Sequence, residues 1–231
     1  MCNWLKGGEK SRAKLAAIVT TIIIISAGFA ALIFNYSNNV TPVRVACLGD
    51  SITAITAYPQ DLQILLGNSY EVENFGVIGA TILLNTDRPY LNQTACSEAE
   101  FFQPQIVVIM LGTNDARFNI YPNSENLEAN FALLIAVYQS LTSHPKIIVA
   151  TPPPIYNNTL NLNASVLVQG VIPRIEQEAK TLNVPIVNVY EPLLNHPEFF
   201  PDGVHPNTAG AEKIAQIVFA AIESMRSSML P

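Results

Sequence analysis

Residues 105–111 contain an unbroken apolar run, Ile106-Val107-Val108-Ile109-Met110-Leu111, followed at once by Gly112. A short, uniform run of this kind reads as a strand covered on both faces, the position of a central strand in a parallel sheet. Four more strand candidates fall at 43–48, 70–75, 146–150 and 185–190. Helical patterns occupy 58–67, 93–102, 125–142, 164–182 and 207–226, and Pro173 should kink or split the fourth of these. Strands that alternate with helices predict a five-stranded parallel sheet with right-handed crossovers and helices on both faces. In such a sheet the loops that leave the strands share one edge, and chemistry collects there.

Polar residues with reactive side chains stand at those strand ends. Gly49-Asp50-Ser51-Ile52-Thr53 follows the first strand. Gly76 and Gly79 follow the second, Gly112-Thr113-Asn114-Asp115 the third, and Asp202-Gly203-Val204-His205 the fifth, just before the last helix. A serine hydroxyl needs a base to become a nucleophile, and His205 can be that base. Asp202, three residues earlier, can fix the imidazole tautomer. A developing oxyanion needs preorganised donors, which the backbone N–H groups of Ser51 and Gly79 and the amide of Asn114 could supply. Each piece has a plainer reading. Gly-Asp-Ser is a common turn, Asn114 could cap a turn, and His205 could merely start a helix. Asp50 and Asp115 read as loop supports, and His144 and His196, each before a proline, as surface residues. A glycine at position 53 would complete a nucleophile elbow of the α/β-hydrolase type, but Thr53 stands there, which disfavours that family.

Taken together, GDSIT, the glycine of VIGA, GTND and DGVH resemble the SGNH hydrolases, also called the GDSL esterase family, from Val43 to about Met225. Ile52 replaces the namesake leucine, a mild change at an apolar position. The resemblance implies a three-layer α/β/α fold of flavodoxin type and hydrolysis of esters through an acyl-enzyme, with neither metal nor cofactor. It assigns Ser51, Asp202 and His205 to catalysis and Ser51, Gly79 and Asn114 to the oxyanion hole. Three long connections, Thr81–Leu91, Ala116–Ser124 and Thr151–Asn163, should rim the site. They offer Arg88, Tyr90 and Arg117 as substrate contacts, with Asn85, Tyr121 and Tyr156 nearby. Polar and aromatic rims suit a hydroxylated ligand better than a lipid. GVIGATILLNTDRPYLNQ and IVVIMLGTNDAR are similar to the branch that holds sialate O-acetylesterases and other carbohydrate esterases. The expected activity is removal of short acyl groups, acetyl foremost, from a small-molecule or glycan ester. A lysophospholipase or thioesterase of the same family is the alternative, and a non-catalytic glycan-binding protein is the alternative of another class.

The N-terminal portion carries a different signal. Leu15 to Phe34 is a run of 20 residues without a charge, and a helix of that length rises about 30 Å, enough to cross the hydrocarbon core. Lys6, Lys10, Arg12 and Lys14 precede it, and no Lys or Arg follows before Arg44. That asymmetry predicts a cytoplasmic N-terminus (1–14), a single bilayer-spanning anchor (15–34), a linker (35–41) and an exported hydrolase domain (42–231). The alternative is a cleaved signal peptide and a secreted protein, although the run is longer than the 7–15 residues usual for one. From Leu15 onward eight basic side chains face seventeen acidic ones, a net charge of −9. So acidic a domain argues against nucleic acid as a partner. Of three cysteines, Cys47 reads as a buried small hydrophobe, which would pair with Cys96 only if the fold brought them together. No pattern in the chain fixes an oligomeric state.

Overall fold

Strand β1 (Val43–Gly49) pairs in parallel with β2 (Tyr70–Gly76) on one side and with β3 (Ile106–Met110) on the other. β3 pairs with β4 (Lys146–Ala150), and β4 with β5 (Ile186–Val187), which gives the order β2-β1-β3-β4-β5, all parallel. Gly49 lies opposite both Gly76 and Met110, so the carboxyl ends of the three neighbouring strands are level. The chain reverses direction across the sheet between β1 and β3, and the crevice at their carboxyl ends is where open α/β sheets bind ligands. The computed structural model describes residues 21–26 and 41–227.

Strand side chains alternate between the faces, and each face has its own core. Ala46, Leu48, Val107, Ile109 and Val149 face α3 (Thr94–Phe101), α4 (Leu127–Gln139) and α5 (Ile172–Thr181). Val45, Cys47, Val108, Met110 and Ile148 face α1 (Ser51–Ile55), α2 (Tyr58–Leu66), α6 (Tyr190–Leu193) and α7 (Thr208–Ser227). The result is the expected three-layer α/β/α arrangement. Leu48 and Ile109 are fully buried, each contributing about 1.5–3 kcal/mol from transfer out of water. Cys47 and Cys96 are both free and buried, and they lie in different cores on opposite faces of the sheet, so they do not pair.

Three elements differ from the sequence pattern. β5 is two residues long rather than six, because the Thr151 hydroxyl accepts the backbone N–H groups of Val189 and Tyr190 at 2.9 and 3.1 Å and turns the chain into α6. α1 is a five-residue helix not anticipated from the sequence, capped by Asp50, whose Oδ1 accepts the Ile52 N–H at 2.9 Å. The helix expected over 164–182 is divided into a turn at Ala164–Val166, a π-helical stretch at Leu167–Val171, and α5. Pro173 sits in the first turn of α5, where its missing N–H costs no ladder bond.

The apolar run at 15–34 lies outside the described residues except for 21–26, which are helical. Among the described residues no helix is long and apolar enough to cross a membrane.

Candidate active site

Four loops bring the site residues to the carboxyl edge of the sheet. Ser51 is the first residue of α1, directly beyond β1, and is only 7% exposed. Its backbone N–H belongs to the first turn of that helix, where amides have no intrahelical acceptor. The Asn74 amide ties the end of β2 to this helix. It donates to the Thr53 carbonyl at 2.8 Å and accepts the Gly76 N–H at 2.9 Å.

His205 reaches Ser51 across 154 positions of sequence, with Nε2 2.9 Å from Oγ. On its far side Nδ1 lies 2.6 Å from Asp202 Oδ2. The other Asp202 oxygen, Oδ1, accepts the backbone N–H groups of Val204 and His205 at 2.9 and 2.7 Å. Burial disfavours this carboxylate, but the hydrogen bonds from the His205 ring and from the two amides outweigh it, and the carboxyl sits below its ordinary range. Between the two residues Gly203 adopts φ +82°, and a Cβ there would lie 2.1 Å from the Asn157 carbonyl oxygen. Only glycine fits so close an approach. The connection at 151–163 presses on this turn. Tyr156 donates its N–H to the Gly203 carbonyl at 2.8 Å and its hydroxyl to the Leu193 carbonyl at 2.8 Å.

Gly79 follows β2 and Asn114 follows β3, the two strands that flank β1. Gly79 has φ +77°, and its N–H finds no acceptor among the described residues. The Gly76 N–H is occupied by Asn74, so of the two glycines in this loop Gly79 is the one with a free donor. Asn114, 3% exposed in the short turn Asn114–Ala116, donates one amide hydrogen to the Ala80 carbonyl at 3.0 Å and keeps the second. Asp115 supports the loop, as the sequence suggested. Its Oδ2 accepts the Ile82 N–H and its Oδ1 the Leu83 N–H, both at 3.0 Å, which clamps the segment after β2 to the segment after β3. Burial pushes the Asp115 carboxyl up to about 6, against those two amides, and burial pushes Asp50 up to about 6 as well.

Of the three proposed substrate contacts, Arg88 and Arg117 line a cleft of about 470 Å³ together with Gly79, Asn85 and Asn123. Tyr90 is a correction. It is 1% exposed, and its hydroxyl donates to the Phe75 carbonyl at 2.7 Å within the core. The cause is local pairing: Thr81 N–H donates to the Arg88 carbonyl and Tyr90 N–H to the Thr81 carbonyl. Pro89 lies between them in this bridge; Arg88 stays exposed before it, and Tyr90 opens the turn Tyr90–Asn92 and is buried. Tyr156 is likewise a buttress of the Asp202–His205 turn rather than a rim residue. His144 is exposed, and His196 is half-buried, bonded to Glu198 at 2.8 Å and stacked on Phe199. Sequence reasoning missed Asn74 and Thr151; a polar residue at the end of an apolar strand was the available signal for both. Among the described residues no cluster of His, Cys, Asp or Glu could hold a metal ion.

A serine hydroxyl bonded to an imidazole, whose other nitrogen is held by a carboxylate, can deliver its proton to the ring and attack an electrophilic carbon. The family model described as GDSL-like Lipase/Acylhydrolase family matches residues 47–213, which include all five of Ser51, Gly79, Asn114, Asp202 and His205. An acetylxylan esterase of Xylanibacter ruminicola is 33% identical over 207 residues, covering 78% of this chain. The chain spans only 43% of the length of that relative. Among solved structures, a GDSL-like lipase from Bacteroides thetaiotaomicron is 25% identical with a TM-score of 0.63, covering 79% of this chain and 89% of its own. A carbohydrate acetylesterase family member from Sinorhizobium meliloti shares the fold at 19% identity and a TM-score of 0.63, covering 79% of this chain and 98% of its own.

Proposed function

Because the chain belongs to the GDSL-like lipase/acylhydrolase family, a family of serine hydrolases acting on carboxylic esters, we propose that it removes short acyl groups, acetyl foremost, from a carbohydrate. The observation that carries the catalytic part is the unbroken relay from Ser51 Oγ to His205 Nε2 at 2.9 Å and from His205 Nδ1 to Asp202 Oδ2 at 2.6 Å.

In this reading Ser51 Oγ attacks the ester carbonyl while His205 Nε2 takes its proton. Asp202 keeps the Nδ1–H tautomer and stabilises the imidazolium that forms. The tetrahedral oxyanion lies against the N–H groups of Ser51 and Gly79 and the free amide hydrogen of Asn114. Each such donor contributes about 2.7–4 kcal/mol to the transition state in a well-studied serine protease. His205 returns the proton to the departing alcohol, which leaves an acyl group on Ser51. A water molecule, deprotonated by the same ring, then releases the acid and restores the hydroxyl. No cofactor enters these steps.

A carbohydrate substrate is supported by the polar side chains of the cleft beside Gly79, among them Asn85, Asn119 and Asn123, and by the relative's description as an acetylxylan esterase. A p-nitrophenyl ester series on residues 41–231 tests the acyl preference. Activity is expected to be greatest for acetate and to fall with chain length. A maximum at long chains would instead mean a lysophospholipase-like or thioesterase-like enzyme.

For location, we infer a single-pass anchor at 15–34 joined through 35–41 to a hydrolase domain at 42–231 outside the cytoplasm, with the basic N-terminus inside. The support is the uncharged run and its one-sided basic flank. The whole chain should fractionate with membranes and resist high-salt extraction, because its insertion is hydrophobic. Mature protein that starts near Phe29 and is free in the medium would instead identify a cleaved signal peptide.

A further inference from the structure

We propose that the saccharide acted on carries an anionic group, and that Arg88 and Arg117 bind it in the cleft beside Gly79. The inference rests on the esterase reading and names its substrate class. Five arginines lie among the described residues. Arg174 pairs with Glu128, Arg226 with Glu223, and Arg44 donates to the Gln103 carbonyl under the Phe102 ring. The two that remain, Arg88 and Arg117, have no carboxylate within ion-pair distance among the described residues, although Asp87 stands on the same rim. Both line the same cleft. In a chain with seventeen acidic side chains from Leu15 onward, two unneutralised guanidiniums in one concavity mark a site for an incoming negative charge.

Their fixation points the same way. Arg88 Nη1 donates to the Ile78 carbonyl at 2.9 Å, which holds the guanidinium over the Gly79 turn; a Cβ built on Gly79 would lie 3.8 Å from Arg88 Cδ. Arg117 Nε is buried, with no hydrogen-bond partner among the described residues, so the base of this guanidinium is tucked against the protein while the residue lines the cleft. The two loops that carry these side chains are joined beneath the cleft by the Asp115 bonds to Ile82 and Leu83 and by the bond from Asn85 Nδ2 to the Asn123 carbonyl at 3.2 Å. The guanidiniums are thus presented by a braced frame, and a guanidinium fork matches the oxygens of a carboxylate or a sulfate. Gly79 belongs both to this cleft and to the proposed oxyanion hole, so a sugar whose ester enters the hole can place a neighbouring charged substituent on the arginines.

The test is equilibrium binding to Ser51→Ala protein, read by calorimetry, so that it does not depend on turnover. Three acetylated sugars are compared: a glucuronic acid methyl glycoside, its uncharged amide, and a glucose 6-sulfate. The acid is expected to bind at least ten-fold more tightly than the amide, and the preference should fall as salt is raised. Adding Arg88→Gln and Arg117→Gln should bring the acid-to-amide ratio close to one. Tighter binding of the sulfate than of the acid would identify a sulfated saccharide, and the reverse a uronate; either supports an anionic sugar. Equal affinity for acid and amide, binding of neither, or a preference that survives loss of both arginines would overturn the proposal. The wild-type ester series separately decides whether the protein is an esterase at all.

Discussion

Ser51→Ala is expected to reduce kcat for p-nitrophenyl acetate by on the order of 10⁶, the loss seen when the nucleophile is removed from a serine protease triad. His205→Ala should cost nearly as much, because the two side chains act as one unit and their effects do not add. The fold should survive the serine change. Among the described residues Ser51 Oγ bonds only to His205, so its removal forfeits a single hydrogen bond, about 1 kcal/mol. Circular dichroism and thermal melting close to those of the parent, with turnover at the uncatalysed background, are the outcomes expected together. Substantial residual turnover with Ser51 absent would mean that another residue opens the ester.

Asp202→Asn should lower kcat/KM by about 10⁴, the cost of the same change in the serine protease template. The reason lies in how the two oxygens are used. Oδ1 accepts two backbone N–H groups, from Val204 and His205, and an asparagine oxygen can take over that role. The amide nitrogen then faces Nδ1 and can only donate to it. His205 would be forced to carry its proton on Nε2, pointing at Ser51, where it can no longer act as a base. The turn should stay folded while the relay fails. Because hydrogen bonding holds the Asp202 carboxyl below its usual range, it should stay charged through the ordinary carboxylate range, and the parent enzyme should show no loss of activity there from protonation of Asp202. The check is a pH profile of kcat/KM for parent and variant. Near-parental activity in the variant would show that some other group orients the ring.

The layers and strand order of the domain could be read from the chain because its strands are short and bounded. The run at 106–111 is apolar throughout and ends at Gly112, and it became the fully buried β3. The strands least legible were those set by distant side chains. β5 stops after Val187 because the hydroxyl of Thr151, far away in sequence, captures the amides of Val189 and Tyr190. Of the site, Ser51, Asp202 and His205 could be placed by their spacing to strand ends, and the structure brings the three together. Spacing alone does not separate Gly79 from Gly76; the resemblance picks Gly79, and in the structure Asn74 occupies the Gly76 N–H while that of Gly79 has no acceptor among the described residues. Tyr90 looked like a rim aromatic because composition carries no direction. The short turn that begins at Tyr90, just past the Thr81–Pro89 bridge, is where the ring becomes buried.

The serine stands just past the first strand of the domain, while its base precedes the final helix, α7, which packs against α2. The distance between them in the chain makes their meeting one of the longest loop closures in the fold, and such contacts are slow to form. A growing chain that has emitted only its first strands holds an ordinary, unreactive hydroxyl. On the proposed mechanism, hydrolysis would begin only once His205, just before α7, reaches Ser51. During refolding, the return of turnover should therefore lag the return of helical signal and serve as a clock for completion of the domain. An enzyme built this way passes through synthesis unarmed.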